Sequence, residues 1–257
     1  MMMPVHELAQ LTWEEVRDLD RARTIVVLPV GAIEAHGPHL PLDTDVVIAT
    51  AMARDGARKL AAHGGGEGRT VLILPALAYT AASFAATFPG TLSISGITVT
   101  AVMVDLARSL TEQGFQLLAI ANAHLDPEHL TALHEAVKLA RADRLLPIVF
   151  PDITRRPWGG GTRLGDEFKS GACHAGRFES SIVMNAQPEL VRDSIRRALA
   201  PNPSSISQAI KLGKRTFEAA GGPRAYFGDP AAASAEEGAR LVDALGSILE
   251  EAVIAEI

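Results

Sequence analysis

Residues 24–45 read TIVVLPVGAIEAHGPHLPLDTD. The first seven form a mostly β-branched run with no polar alternation, the pattern of a strand buried on both faces. The chain then breaks into glycines and prolines that carry three carboxylates (Glu34, Asp43, Asp45) and two imidazoles (His36, His39). Solubility calls for a polar loop, but not for this selection of metal-capable groups. A helical pattern follows from about Asp45 to Ala62, ended by His63 and the glycines 64–66.

Outward from this stretch the alternation repeats. VLILPALAY (71–79) reads as a second strand, and GITVTAVMVDLARSLTEQG (96–114) as a helix closed by glycine. FQLLAIAN (115–122) is a third strand. Pro127 then opens PEHLTALHEAVKLARA, at the first helical position where a missing N–H costs nothing. LPIVF (146–150) is a fourth strand, 151–172 a long loop, and HAGRFESSIVMNA (174–186) a helix. SAEEGARLVDALGSILEEAVIAE (234–256) closes the chain as an amphipathic helix with a Ser–x–x–Glu start. Strands alternating with helices predict an α/β fold: a mainly parallel sheet sandwiched between helices, as a single domain over 1–257.

Composition narrows the function. Lys plus Arg number 24 against 30 Asp plus Glu, so no basic excess is present for binding nucleic acid. One cysteine, Cys173, rules out an intrachain disulfide and a cysteine-based zinc knuckle. The N-terminal residues show no basic and apolar secretory pattern, and no apolar run approaches the roughly 20 residues that span a bilayer. A cytoplasmic protein without a membrane partner is expected.

In parallel sheets, ligands gather beyond the carboxyl ends of the strands. Glu34 and His36 follow the first strand, Asn122, His124 and Asp126 the third, and the loop after the fourth leads to His174 and Glu179. Residues i and i+2 of an extended chain point the same way, so each pair can face one point on the rim. Imidazole and carboxylate donors without thiolate suit Zn²⁺, Mn²⁺ or Fe²⁺. Two such ions need a bridging group, which a carboxylate such as Asp45 can supply, and water held between them becomes a hydroxide near neutral pH. That chemistry hydrolyses an amide or related C–N bond. His174 is the candidate to protonate the leaving nitrogen.

Five segments in order carry a resemblance. VGAIEAHGPHLPLDTD, FPGTLSI (88–94), NAHLDP (122–127), HAGRFESS (174–181) and YFGDPAAASAEEG (226–238) resemble the signatures of the creatininase family. The resemblance implies a dinuclear metallohydrolase with two divalent ions per chain, assembled as a homo-oligomer, usually a hexamer. It places Glu34, Asp45 and His124 on one metal. It places His36 and Asp45 on the other, with Asp126 where creatininase has a glutamate. His174 would transfer the proton, and Glu179 would be a nearby acid. The chain departs from many relatives at Ala123, Leu125, Asp126 and Pro127, at Ser170–Gly171, and in AASFAAT (81–87), where alanines replace polar groups. These departures point to a member other than creatininase, with another substrate, a small molecule or a short peptide.

Plainer readings stand beside these. Asp45 and Asp126 can each cap a following helix, and a family member that binds metal or ligand without catalysis would share most of the pattern. His39 and Asp43 fit an orienting role, His63 a helix end, and His129 and His134 exposed or half-buried helix positions. Cys173 fits core packing, and Gly159–Gly161 either a hinge or an ordinary loop. Arg155, Arg156, Arg163, Lys169 and Arg177 admit an anionic substrate, a carboxylate or phosphate, or simply solvated charge.

Overall fold

The computed structural model describes residues 5–62, 69–159 and 163–257. The helix end at His63 and Gly64–Gly66, and Gly160 and Gly161 of the expected hinge, lie outside these residues. In chain order the elements are β1 (Val5–Glu7), α1 (Trp13–Arg17), β2 (Thr24–Val30), α2 (Thr44–Ala62), β3 (Thr70–Ile73), α3 (Gly96–Glu112) and β4 (Leu118–Asn122). They continue with α4 (Pro127–Ala142), β5 (Ile148–Val149), α5 (Gly165–Ser170), α6 (Arg177–Ala186), α7 (Asp193–Arg197), α8 (Ile206–Lys211) and α9 (Ala235–Ile254).

The five strands pair in parallel in the order β1-β3-β2-β4-β5. β2 lies inside the sheet and every one of its residues is buried, as its unbroken apolar sequence requires. Its side chains alternate between two cores. Val26, Leu28 and Val30 pack with Val99 and Met103 of α3 and with Leu133 and Ala136 of α4. Ile25 and Val27 pack with Ile48 and Met52 of α2, Ile182 of α6, and Leu245 and Ile248 of α9. Each such side chain taken fully out of water contributes about 1.5–3 kcal/mol, so both faces clamp the strand ends from which the site is built.

Strand order locates the site. The chain leaves β2 through α2 to β3 on one side, then crosses through α3 to β4 on the other side. The crossover direction therefore reverses between β2 and β4, whose ends are in register at Val30 and Asn122. A crevice opens beyond the carboxyl ends of two strands at such a reversal. The single α/β domain with a parallel sheet between helices is the expected fold.

Several boundaries are corrected. The strand expected over 71–79 pairs only to Ile73, because Pro75 removes a ladder donor, and the chain rejoins β2 at one bridge, Leu77 with Val30. The strands expected over 115–122 and 146–150 begin later, at Leu118 and Ile148. The 151–172 loop contains α5. His174–Gly176 precede α6 rather than belong to it, with Gly176 as the helix cap. β1 is an edge strand too short for its periodicity to announce it. No helix among the described residues is long and apolar enough to cross a membrane.

Candidate metal centre

The loop after β2 is drawn tightly against α2. A side chain at Gly31 would meet the Val46 nitrogen at 2.6 Å, so only glycine lets the loop pass. The Glu34 amide donates to the Leu42 carbonyl at 2.8 Å, closing the loop on itself. α2 begins at Thr44, one residue earlier than the sequence suggested. Asp45 is therefore inside the first turn, and its carboxylate is not the helix cap.

Three imidazoles are oriented by backbone carbonyls. His36 Nδ1 donates to the Glu34 carbonyl (3.0 Å), His124 Nε2 to that of Ala81 (2.8 Å) and His174 Nε2 to that of Ala35 (2.9 Å). A carbonyl only accepts, so those nitrogens carry the protons and the opposite ring nitrogens are free to act as ligands. A ring N–H tied to backbone is the usual support of a metal-binding histidine.

The free nitrogens face carboxylates. His124 Nδ1 lies 2.8 Å from Asp45 Oδ2 and 3.3 Å from Glu34 Oε2. His36 Nε2 lies 3.2 Å from Asp45 Oδ1 and 3.5 Å from Glu179 Oε2. Asp45 thus turns one oxygen to each imidazole. All five side chains are buried, yet His36 Nε2 and Asp45 Oδ2 make no hydrogen bond. Glu34, Asp45 and His124 form one group whose donor atoms lie within 4.8 Å of one another, and His36, Asp45 and Glu179 form a second; Glu34, His36 and His174 form a third. Donors about 2.1 Å from a tetrahedral ion stand about 3.4 Å apart, so these separations and unpartnered atoms fit divalent cations.

Without a cation, protons must compensate the carboxylates. Burial pulls the His36 imidazole down, but Asp45, Glu179 and Glu34 outweigh it and push it up to about 10. Burial likewise opposes protonation of His124, which Glu34 and Asp45 hold well above its ordinary value. Burial raises Glu179 to about 8 against the pull of His36. Burial, with His36 next in weight, holds His174 well below its ordinary value, so that ring is neutral. It lines the cavity beside Glu34, Asp45, His124 and Glu179, and its ring stacks 4.2 Å from that of His36.

The remaining expected residues are placed as follows. Asp126 caps α4, with Oδ1 accepting from the Glu128 amide (2.8 Å). Its Oδ2 accepts from Ser83 Oγ (3.1 Å) and the Phe84 amide (3.0 Å). It lines the cavity but belongs to none of the three donor groups. Glu179 reaches in from the first turn of α6, where its Oε2 also accepts the Ala175 amide (2.6 Å). His39 is buried and bonded to Ser180 Oγ (2.8 Å), next to Glu179; neither it nor Asp43 joins a donor group. Cys173 is half-buried against the cavity, and burial reinforced by Glu179 and Glu167 pushes its thiol up to about 12, so it is no nucleophile. The cations of the 155–177 region are not at the cavity: Arg155 pairs with Asp152, Arg163 with Glu251 and Arg177 with Glu237.

Two features escaped sequence reading. His129, expected at an exposed or half-buried position, is fully buried, and its Nε2 meets Asn122 Oδ1 at 2.9 Å. The Asn122 Nδ2 in turn donates to the His124 carbonyl (2.7 Å), so His129 steadies the loop that carries His124. The signal was present: His129, Leu133, Ala136 and Ala140 form the buried stripe of α4 at helical spacing. The second feature is the apolar wall of the cavity, from Phe84, Leu125, Ile206, Ile210 and Phe217. The Phe217 ring lies 4.2 Å from that of His174. The cavity is small, about 60 Å³.

A family model described as Creatininase, creatinine amidohydrolase, matches residues 9–253. A mycofactocin precursor peptide peptidase from Mycobacterium tuberculosis is 34% identical over 221 residues, covering 86% of this chain and 80% of the relative. A creatinine amidohydrolase from Pseudomonas putida is 28% identical over 204 residues, covering 72% of this chain and 73% of the relative. The solved structure of a mutant creatininase of Zn–Zn type superposes with a TM-score of 0.75 at 23% identity, over 97% of both chains, and shares the fold. These relatives are hydrolases by name. The buried donor groups lie on the segments through which the family model runs, and peptidases appear among the relatives beside creatinine amidohydrolase: the protein is a member of the creatininase family other than creatininase itself.

Proposed function

We propose that the protein is a metal-dependent amidohydrolase that cleaves a C–N bond (amide, lactam or formamide) in a small molecule or short peptide. The observation that carries this reading is Asp45, buried with one carboxylate oxygen toward each of two donor groups. Glu34, Asp45 and His124 would hold one divalent ion. His36, Asp45 and Glu179 would hold the second; Glu179 takes the place first expected for Asp126, whose oxygens already accept three hydrogen bonds. Zn²⁺, Mn²⁺ and Fe²⁺ all suit these donors. When bound, such ions acidify water and polarise a carbonyl oxygen.

The protein's own groups supply the remainder. His174 is neutral and has one ring nitrogen tied to Ala35, so the other can take a proton from the attacking water and deliver it to the leaving nitrogen. The Ala35 carbonyl fixes its tautomer. The apolar wall lowers the local dielectric around these charges and limits entry of bulk water. The name of the peptidase relatives supports including short peptides among the proposed substrates. A homo-oligomer, a hexamer by family resemblance, is part of the reading; Trp13 and Ile97, 72% and 85% exposed, supply apolar surface for it.

The test is metal content per chain after chelator-free purification and reconstitution, paired with amine release from a panel of amides, lactams and formyl compounds. About two ions per chain with turnover is the expected result. Two ions without turnover would leave a binding protein, and no bound ion would sink the proposal.

A further inference from the structure

A second depression, about 590 Å³, adjoins the metal cavity and shares Phe84, Asp126, Pro127 and Ile210 with it. Its remaining lining is Ser83 and Glu128 on one side and Gly213, Lys214 and Arg215 on the other. The acidic side is engaged: Asp126 accepts its three hydrogen bonds, and Glu128 Oε1 accepts the Gly96 amide at 2.8 Å. The basic side is not. Lys214 and Arg215 are exposed and make no side-chain hydrogen bond or ion pair among the described residues. By contrast, Arg155, Arg163 and Arg177, which do not line either depression, are paired with carboxylates.

Local structure explains why the two cations stand there. α8 presents Ile206 and Ile210 to the metal cavity and ends at Lys211. Gly213, at φ +77°, then takes the left-handed turn that closes the helix, a conformation open to glycine at little cost. The turn sends Lys214 and Arg215 to the groove before Phe217 drops back against His174. One segment, 206–217, therefore gives apolar contacts beside the reacting bond and positive charge further out.

We infer that the substrate carries an apolar group next to the scissile C–N bond and a carboxylate beyond it, received by Lys214 and Arg215. This rests on the proposed amidohydrolase reading and adds its substrate class. Arg offers a planar fork matched to a carboxylate and Lys a mobile ammonium, so together they discriminate the anion from its neutral ester.

The probe is a pair of hydroxamates, which bind divalent metals directly, each with a leucyl side chain; one ends in a carboxylate and the other in its methyl ester. Binding to metal-reconstituted protein is measured by calorimetry. The carboxylate form should bind about tenfold tighter than the ester, with the gap narrowing as salt rises. In Lys214→Ala/Arg215→Ala, surface changes that leave metal content intact, the gap should vanish while ester affinity stays unchanged. In turnover, the double variant should raise KM for carboxylate-bearing amides and leave kcat alone. Equal binding of both probes to the native protein overturns the inference while sparing the hydrolase. If neither probe binds the metal-loaded protein, the inference is overturned, and metal content with amine release decides the hydrolase reading separately.

Discussion

The rim of the sheet and the 206–217 segment face each other across one cavity, yet they are built from opposite kinds of residue. The rim supplies Glu34, His36, Asp45, His124 and Glu179, all buried and charged or chargeable, with His36, His124 and Glu179 held by backbone hydrogen bonds. The opposing segment supplies Ile206, Ile210 and Phe217, with Lys214 and Arg215 outside. Buried carboxylates are costly unless a cation or proton compensates them, so the rim has one workable chemistry. The apolar wall has no such constraint and can vary with the substrate. On the proposed reading, reaction type is set by one region and selectivity by the other.

The hardest break of this division is Asp45→Asn. If one carboxylate serves both donor groups, its loss should empty both, with metal content falling from about two ions toward none and turnover falling on the order of 10³-fold or more. Retention of one tightly held ion would show that the groups are independent and that Asp45 does not bridge them. Elemental analysis of the purified variant decides it.

A second test uses protons as competitors. In the metal-free site His36 stays protonated up to about 10, and Glu179 up to about 8. Metal binding must expel these protons, so affinity should climb at least tenfold per pH unit between about pH 6 and 8. Calorimetry in buffers of different ionisation enthalpy counts the protons released, and a count of zero would contradict the cluster's electrostatics. Stability moves the other way in the metal-free protein. A histidine raised in the folded state contributes fully below its ordinary 6.5, and that contribution is lost as pH rises toward about 10. Alkaline pH should therefore lower the metal-free melting temperature while strengthening metal binding.

The two regions also differ in how much of them could be read in advance. The rim was legible because strand β2 is an unbroken apolar run and metal-capable residues follow it at two-residue spacing. Glu34, His36, Asp45, His124, His174 and Glu179 meet at the strand ends where the fold gathers them. The pairing of Glu179 with His36 was not legible, since it depends on the entry of α6, whose glycine cap and Ala175 amide aim the carboxylate. The wall was invisible for a different reason. Isoleucines in a short helix such as α8, and a phenylalanine such as Phe217 beyond its end, look like ordinary core, and no spacing rule marks a cavity lining. The cations of the 151–177 region drew attention because they are numerous, although three of them are paired elsewhere.

Asp126 is where the two regions meet, and it gives the smallest and sharpest test. One oxygen caps α4 on the rim side, and the other holds Ser83 and Phe84 on the wall. Asp126→Ala should therefore leave the metal count at about two while costing about 1–2 kcal/mol of stability from the lost cap and the unpaired Phe84 amide. With Phe84 released, the wall loosens, so KM should rise by more than kcat falls. Thermal melts, metal analysis and kinetics on one preparation separate the outcomes. A metal count falling to one, with little change in melting temperature, would make Asp126 the ligand and return Glu179 to an orienting role. An unchanged count with raised KM keeps ligation on the rim and assigns Asp126 to holding the wall against it.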